Sequence, residues 1–292
     1  MPRSEGASLR SGSSGAIAPG PYDYLRQLMR ERTGIVLEPG KEYFVEVRLA
    51  ALADEHGFGT VQRLLDGLQI EEPWGILHRT VAESLAVTET SFFRDLHPFE
   101  EMRDTILPRI IEARRATRAI HIWCTSVATG QEPYSVAMLL QEHFPELADW
   151  RMRLIASDFS HAMLRRAREG LYTQIEVNRG LPAPYLLRYF AKEGLDWRIR
   201  ADLRNRVEFR QVNLVEPWPV LPPLDLVLMR NVLIYFSADT RHRVLRNLAE
   251  VMNPDGVLFL GSTETTMPAD AAFEPVAFRD TVVHRPRPAR AA

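Results

Sequence analysis

The sequence predicts an all-helical N-terminal domain followed by an α/β domain built on a parallel sheet. Up to about residue 90 the apolar residues recur at helical spacing. After Ala119 short apolar runs alternate with amphipathic helical stretches. Strands that alternate with helices pair in parallel and are covered on both faces.

The elements follow in order. Residues 22–31 place Tyr22, Leu25, Leu28 and Met29 on one helical face, and Gly34 ends the helix. After the turn Glu38-Pro39-Gly40, a second helix is predicted over 41–56 with Phe44, Val47, Leu49, Leu52 and Ala53 as its apolar positions. Residues 60–68 and 74–85 predict two more helices, and 99–116 a charged connecting helix. Strands are predicted at 120–124, 152–156, 207–212, 224–229 and 257–260, interleaved with helices at 132–143, 161–169 and 240–252. Asn253-Pro254-Asp255-Gly256 reads as a turn, and 273–278 with 281–284 as a closing hairpin.

Composition narrows the function. Hydrophobic residues are 46% and charged residues 25%, as in globular proteins. A formal net charge of -2 excludes a chain-wide basic field for nucleic acid. The single cysteine, Cys124, excludes an intrachain disulfide and a cysteine zinc cluster; it ends a strand and reads as a core residue. No pair of histidines is close enough in sequence to share a helical turn, so no metal site is expected. No run approaches the roughly 18 to 20 apolar residues of a membrane span. Residues 1–20, rich in Ser, Gly and Ala, are expected to be a disordered tail, and 287–292 a short C-terminal one.

Three constellations carry chemistry. Residues 126–135 follow the first strand and open a helix, with small residues that permit close backbone approach; with one glycine, an ordinary strand-to-helix turn remains open as a reading. Asp158 ends the second strand, where a carboxylate accepts hydrogen bonds from ribose hydroxyls or caps the next helix. Arg230, Asn231 and Tyr235 follow the fourth strand, either facing a cleft or forming a capped loop with Tyr235 in the core. All three lie at the carboxyl ends of strands, where such sheets bind ligands.

These motifs, together with Thr90-Ser91-Phe92-Phe93-Arg94, Asn213-Leu214 and Gly261-Ser262-Thr263-Glu264, resemble the CheR family of chemoreceptor glutamate methyltransferases over residues 21–284. The resemblance implies a helical domain (21–90), a linker and connecting helix (91–118), and a Rossmann-like domain (119–286) that binds S-adenosylmethionine (SAM), with a small antiparallel subdomain inserted at about 171–206. It implies methyl transfer from SAM to glutamate side chains of cytoplasmic receptor domains, leaving S-adenosylhomocysteine, by a cytoplasmic monomer without a metal. Carried over by position, Thr90, Arg94, Thr129, Gly130, Glu132, Asp158, Asn213, Leu214, Arg230 and Asn231 belong to the cofactor pocket. Arg94, Arg230 and Tyr235 belong to the catalytic centre: an arginine orients the acceptor carboxylate and Tyr235 shapes the transfer channel. Phe92 and Phe93 read as packing residues.

The chain departs from the family pattern at Thr88, Ala128, Gln131 and Ser262. Residues 192–197, with one glycine, are short for the loop that docks on a receptor tail peptide in some members, so no such tether is expected. The second helix, basic in the family, offsets Lys41 and Arg48 with Glu42, Glu46, Asp54 and Glu55; Arg26, Arg30 and Arg32 share its recognition role. A methyltransferase for another acceptor, or a SAM-binding regulator without activity, are the competing readings.

Overall fold

The computed structural model describes residues 17–265, 272–279 and 281–287; residues 1–16 of the expected N-terminal tail and 288–292 of the C-terminal one lie outside the described residues. The chain divides into two units, the first of residues up to 31 together with 36–86, the second of 32–35 and everything from Val87 on.

The first unit is helical: α1 (Pro19–Thr33, its last two residues in the second unit), α2 (Glu42–Glu55), α3 (Val61–Leu68) and α4 (Ile76–Leu85). Helix α1 starts before residue 21, because proline is tolerated in a first helical turn. The Ala18 N–H donates to Gln62 Oε1 at 2.7 Å, and Ile17 is buried, so residues 17–20 belong to the fold rather than to a tail. In α2 the buried stripe is Val45, Leu49, Leu52 and Ala53. Val47, read from sequence as apolar-facing, is off this stripe and 59% exposed. Each fully buried leucine contributes about 1.5–3 kcal/mol relative to exposure.

In the second unit the predicted connecting helix is broken into α5 (His97–Glu101), a π-helical turn (Met102–Ile106) and α6 (Leu107–Ala113). The Leu107 N–H reaches back to Met102 O, and Pro108 has no N–H with which to restore α-helical pairing. Then follow β1 (Ala119–Thr125), α7 (Gln131–His143), β2 (Arg151–Asp158), α8 (His161–Glu169), β3 (Leu171–Tyr172), α9 (Gln174–Asn178), α10 (Ala183–Tyr189), β4 (Phe190–Glu193), β5 (Asp196–Ile199), α11 (Ala201–Arg204), β6 (Val207–Gln211), β7 (Leu224–Met229), α12 (Ala238–Val251), β8 (Met252–Leu260), β9 (Phe273–Phe278) and β10 (Thr281–Pro286).

Among the described residues the main sheet has seven strands in the order β6-β2-β1-β7-β8-β10-β9. The first five run parallel, while β10 and β9 form an antiparallel hairpin at one edge. The sheet is therefore mixed, not purely parallel. From β1 the chain builds outward to β6, then returns to lay β7 on the other side of β1. The order reverses between β1 and β7, which places a crevice at their carboxyl ends. Both faces of β7 are buried, as expected for a central parallel strand.

Asn253-Pro254-Asp255-Gly256 is not a free turn but a bulge within β8. Met252 pairs with Leu224 and Val257 with Leu226, so four residues stand opposite Asp225 alone. The buried Asp225 carboxylate accepts from Arg114 Nε (2.6 Å), the His121 N–H (2.8 Å) and Asn253 Nδ2 (2.7 Å). It is a satisfied structural charge at the amino end of β7, away from the crevice.

The insertion between α8 and β6 is a three-stranded antiparallel sheet, β3-β5-β4, flanked by short helices. It closes on the linker at Gly180 (φ +87°), where a Cβ would lie 2.1 Å from Phe92 O. Gly180→Ala is expected to destabilise this unit by about 2–4 kcal/mol, combining left-handed strain with the clash. Thermal unfolding checks this; an unchanged midpoint would refute the close approach.

Candidate active site

Strand β1 ends in a backbone unusual for side-chain-bearing residues. Ser126 (φ 53°) and Ala128 (φ 48°) are left-handed, and Gly130 (φ +91°) starts α7. Such conformations cost roughly 1–3 kcal/mol each and persist only where surroundings over-determine them. Here the brace is Asp158 at the end of β2: its Oδ2 accepts the Ala128 N–H and its Oδ1 the Ser160 N–H, both at 2.9 Å. Asp158 is not the cap of α8; Ser160 is, its side chain accepting from the Met163 N–H. Only the backbone of residue 128 is used in this contact, so alanine suffices there.

The first turn of α7 is buried. Thr129 Oγ1 donates to Gln131 Oε1 at 2.7 Å, so the neutral Gln131 side chain has a partner in the interior. Ser135 Oγ accepts the Phe93 N–H at 3.0 Å and donates to Gln131 O at 2.7 Å, tying the linker to α7. Phe92 and Phe93 are core residues: Phe92 meets Tyr172 and Phe190 edge-on, and Phe93 meets Phe99. Cys124 is fully buried in β1, and burial pushes its thiol well above the usual range. It is a packing residue, not a nucleophile.

After β7 comes a buried charge cluster. The Arg230 guanidinium, with a side chain 1% exposed, bridges two carboxylates: Nη1 donates to Glu132 Oε2 at 2.8 Å and Nη2 to Asp95 Oδ2 at 2.7 Å. Nη2 also donates to Arg94 O at 3.0 Å. Burial raises the Glu132 carboxyl above the ordinary range, and Arg230 opposes that rise. Arg94 itself is half-buried, and its Nη1 donates to Glu89 O at 3.0 Å. Asn231 (φ 58°) begins a tight loop through Tyr235. Tyr235 is half-buried, and burial raises its phenol above the usual value.

The structure therefore brings Arg94, Glu132 and Arg230 together, and separately links Thr129 to α7 and Asp158 to Ala128. Asn213 and Leu214 lie just beyond β6; Asn213 Nδ2 donates to Arg32 O at 2.6 Å and its Oδ1 accepts from the Val215 N–H at 3.3 Å. Thr90 is half-buried in the segment before the linker phenylalanines. Two residues outside the sequence-derived set enter the cluster: Asp95, next to the linker motif, and Glu264, which binds the loop that starts at Asn231.

The polar groups present fit a nucleoside cofactor that brings hydroxyl donors and acceptor oxygens. A buried hydroxyl, Thr125 Oγ1, and Arg230 Nε have no hydrogen-bond partner, and a carboxylate stands at the end of β2. Among the described residues no group of His, Cys, Asp and Glu could hold a metal ion. No described helix is long and apolar enough to cross a membrane.

Two family models match the chain: "CheR methyltransferase, SAM binding domain" over residues 88–282 and "CheR methyltransferase, all-alpha domain" over 21–73. Among curated proteins it is 34% identical over 253 residues to chemotaxis protein methyltransferase 1 of Pseudomonas aeruginosa, covering 85% of this chain and 91% of that protein. It is 34% identical over 258 residues to the chemotaxis protein methyltransferase of Escherichia coli, covering 85% of each. With chemotaxis protein methyltransferase 1 of Vibrio cholerae the identity is 32% over 274 residues, covering 92% of this chain and 98% of that one. The helical unit, the α/β unit with its cofactor crevice and the matched sequence agree: the chain belongs to the CheR family of SAM-dependent methyltransferases.

Proposed function

We propose that this enzyme transfers the methyl group of SAM to glutamate side-chain carboxylates on the cytoplasmic domains of chemoreceptors, producing glutamate methyl esters and S-adenosylhomocysteine in a chemotaxis-like pathway. The observation that carries the reading is that the carboxylates and the phenol placed around Arg230 are not free to act as bases, beside an arginine available to a carboxylate. Glu132 and Asp95 are committed to Arg230, Glu264 to backbone N–H groups, and Tyr235 stays protonated at neutral pH. An acceptor that is already ionised needs no base, and glutamate, with a reference pKa of about 4.3, is one.

Bound SAM supplies an electrophilic methyl on a sulfonium. Asp158 would hold the ribose hydroxyls and the 126–130 backbone would follow the cofactor. Thr129, Gly130, Glu132 and Asn231 would complete the pocket, with Asn213 and Leu214 flanking the adenine and Thr90 closing over it. Transfer of that methyl to a carboxylate oxygen would exchange the carbon–sulfur bond for a carbon–oxygen bond and neutralise both charges. Positioning and exclusion of water, rather than stabilisation of a new charge, are then what the protein contributes. Orientation of this kind lowers a barrier by up to roughly 7–11 kcal/mol.

Of the two candidate arginines, Arg94 is the one we assign to the incoming carboxylate, since both Nη atoms of Arg230 are engaged. Arg94→Ala is expected to lower kcat/KM for receptor by about 10–150-fold, the range for one charge-assisted hydrogen bond, with a smaller loss of SAM affinity because Arg94 also belongs to the cofactor pocket. Equal activity of the variant would remove Arg94 from this role. In this reading the enzyme is a cytoplasmic monomer; it does not tether to receptor tails, because the β4–β5 hairpin turns through Gly194-Leu195 alone. Tight binding to an isolated tail peptide would contradict that.

The reading is tested by incubating labelled SAM with a receptor cytoplasmic fragment and treating the product with alkali. Volatile label released by base supports a carboxyl methyl ester. Base-stable label would point to nitrogen methylation instead.

A further inference from the structure

Glu264 stands just beyond β8, and its carboxylate makes no ion pair among the described residues. It accepts instead from three backbone N–H groups: Asn231 at 2.6 Å and Gly261 at 2.7 Å on Oε2, and Ile234 at 3.2 Å on Oε1. The Glu264 N–H returns a bond to Gly261 O at 2.9 Å. One side chain thus ties the end of β8 to both ends of the loop carrying Asn231 and Tyr235.

That loop needs a tie. Asn231 holds φ 58° without being glycine, a left-handed conformation that favours glycine and that asparagine tolerates better than most residues. Its N–H, half-buried, and that of Ile234, exposed, both find their acceptor in Glu264, and hydrogen bonds to an ionised carboxylate are short and strong. The packing is specific as well: a Cβ on Gly261 would come 2.8 Å from both Glu264 Oε2 and Asn231 Nδ2. Gly261 has no left-handed φ, so glycine is required there by the clamp and not by the backbone.

We propose that Glu264 is a positioning residue for methyl transfer: its carboxylate clamps the 231–235 loop and so sets the placement of Asn231 and Tyr235 beside Arg230. The role rests on the methyl-transfer reading above.

Two variants and two measurements test it. Glu264→Ala removes all three acceptor contacts. Glu264→Gln keeps one oxygen for the pair at Asn231 and Gly261 but sets an amide N–H₂ against the Ile234 N–H. Turnover per SAM-saturated enzyme on a receptor fragment is expected to fall about 100-fold in Glu264→Ala and about 10-fold in Glu264→Gln, with KM for receptor within about 3-fold of the parent. Gly261→Ala should behave like Glu264→Ala. Backbone amide exchange of the peptide covering 230–235 is expected to quicken at least 10-fold in Glu264→Ala, whether or not a given receptor is methylated. A parent protein that methylates nothing sinks the functional reading and leaves the exchange result to decide on the clamp. Unchanged exchange, or undiminished turnover in Glu264→Ala, overturns the proposal.

Discussion

Arg230→Ala is expected to abolish useful SAM binding, raising Kd by more than about 100-fold. The side chain is 1% exposed and spans Glu132 and Asp95. Breaking a buried ion pair by removing one partner costs about 3–5 kcal/mol, because the other charge is left buried and unpaired. Glu132 is that charge. Burial already raises its carboxyl and Arg230 is the principal opposing influence, so removing Arg230 raises it further. Its acidity and the wall it forms with the linker are lost together. Arg230→Lys should recover only part of the loss, since one ammonium cannot reproduce the two Nη groups of a planar guanidinium aimed at separate carboxylates. Isothermal titration with SAM reads the effect directly, and near-parental affinity in Arg230→Ala would contradict the assignment of this arginine to the internal frame of the pocket.

Asp158→Asn should weaken SAM binding by about 10–150-fold, although the change in volume is negligible. Both carboxylate oxygens accept backbone N–H groups at 2.9 Å, and an amide offers only one acceptor, so one N–H must face an N–H₂. Each hydrogen bond to a charged acceptor contributes about 1.5–3 kcal/mol. If Oδ2 is the oxygen lost, Ala128 has no reason to keep φ 48°, and the cofactor loop relaxes. Asp158→Ala should be no milder. Parental affinity in Asp158→Asn would show that the loop holds its shape without the carboxylate.

Much of the architecture was legible from the sequence because its causes are local. Strand β7 is a continuous apolar run, and α8 shows a helical period ended by Gly170 at φ +60°. Asp158 and Arg230 were singled out by their places after strands, and Glu132 by the resemblance. Pairing across the fold was not legible. Arg230 meets Glu132 across 98 positions and Asp95 across 135, distances that no periodicity reports. For the same reason Glu264 could be quoted as part of a motif without its partners being visible. The turn-like Asn253-Pro254-Asp255-Gly256 was misleading because bulges and turns use the same residues, and only its register opposite Asp225 distinguishes them. The exposed Val47 shows the limit of counting apolar residues: a stripe set by Val45, Leu49 and Leu52 excludes it by angle.

The acceptor atom separates ester formation from nitrogen methylation. Peptide mapping by mass spectrometry, after reaction of the full-length enzyme with SAM and a receptor cytoplasmic fragment, names it most directly. The account predicts one added methyl on glutamate residues of the receptor, removed by mild alkali, absent without SAM and strongly reduced with the Arg94→Ala enzyme. Methyl groups found on lysine, arginine or histidine, stable to alkali, would contradict it.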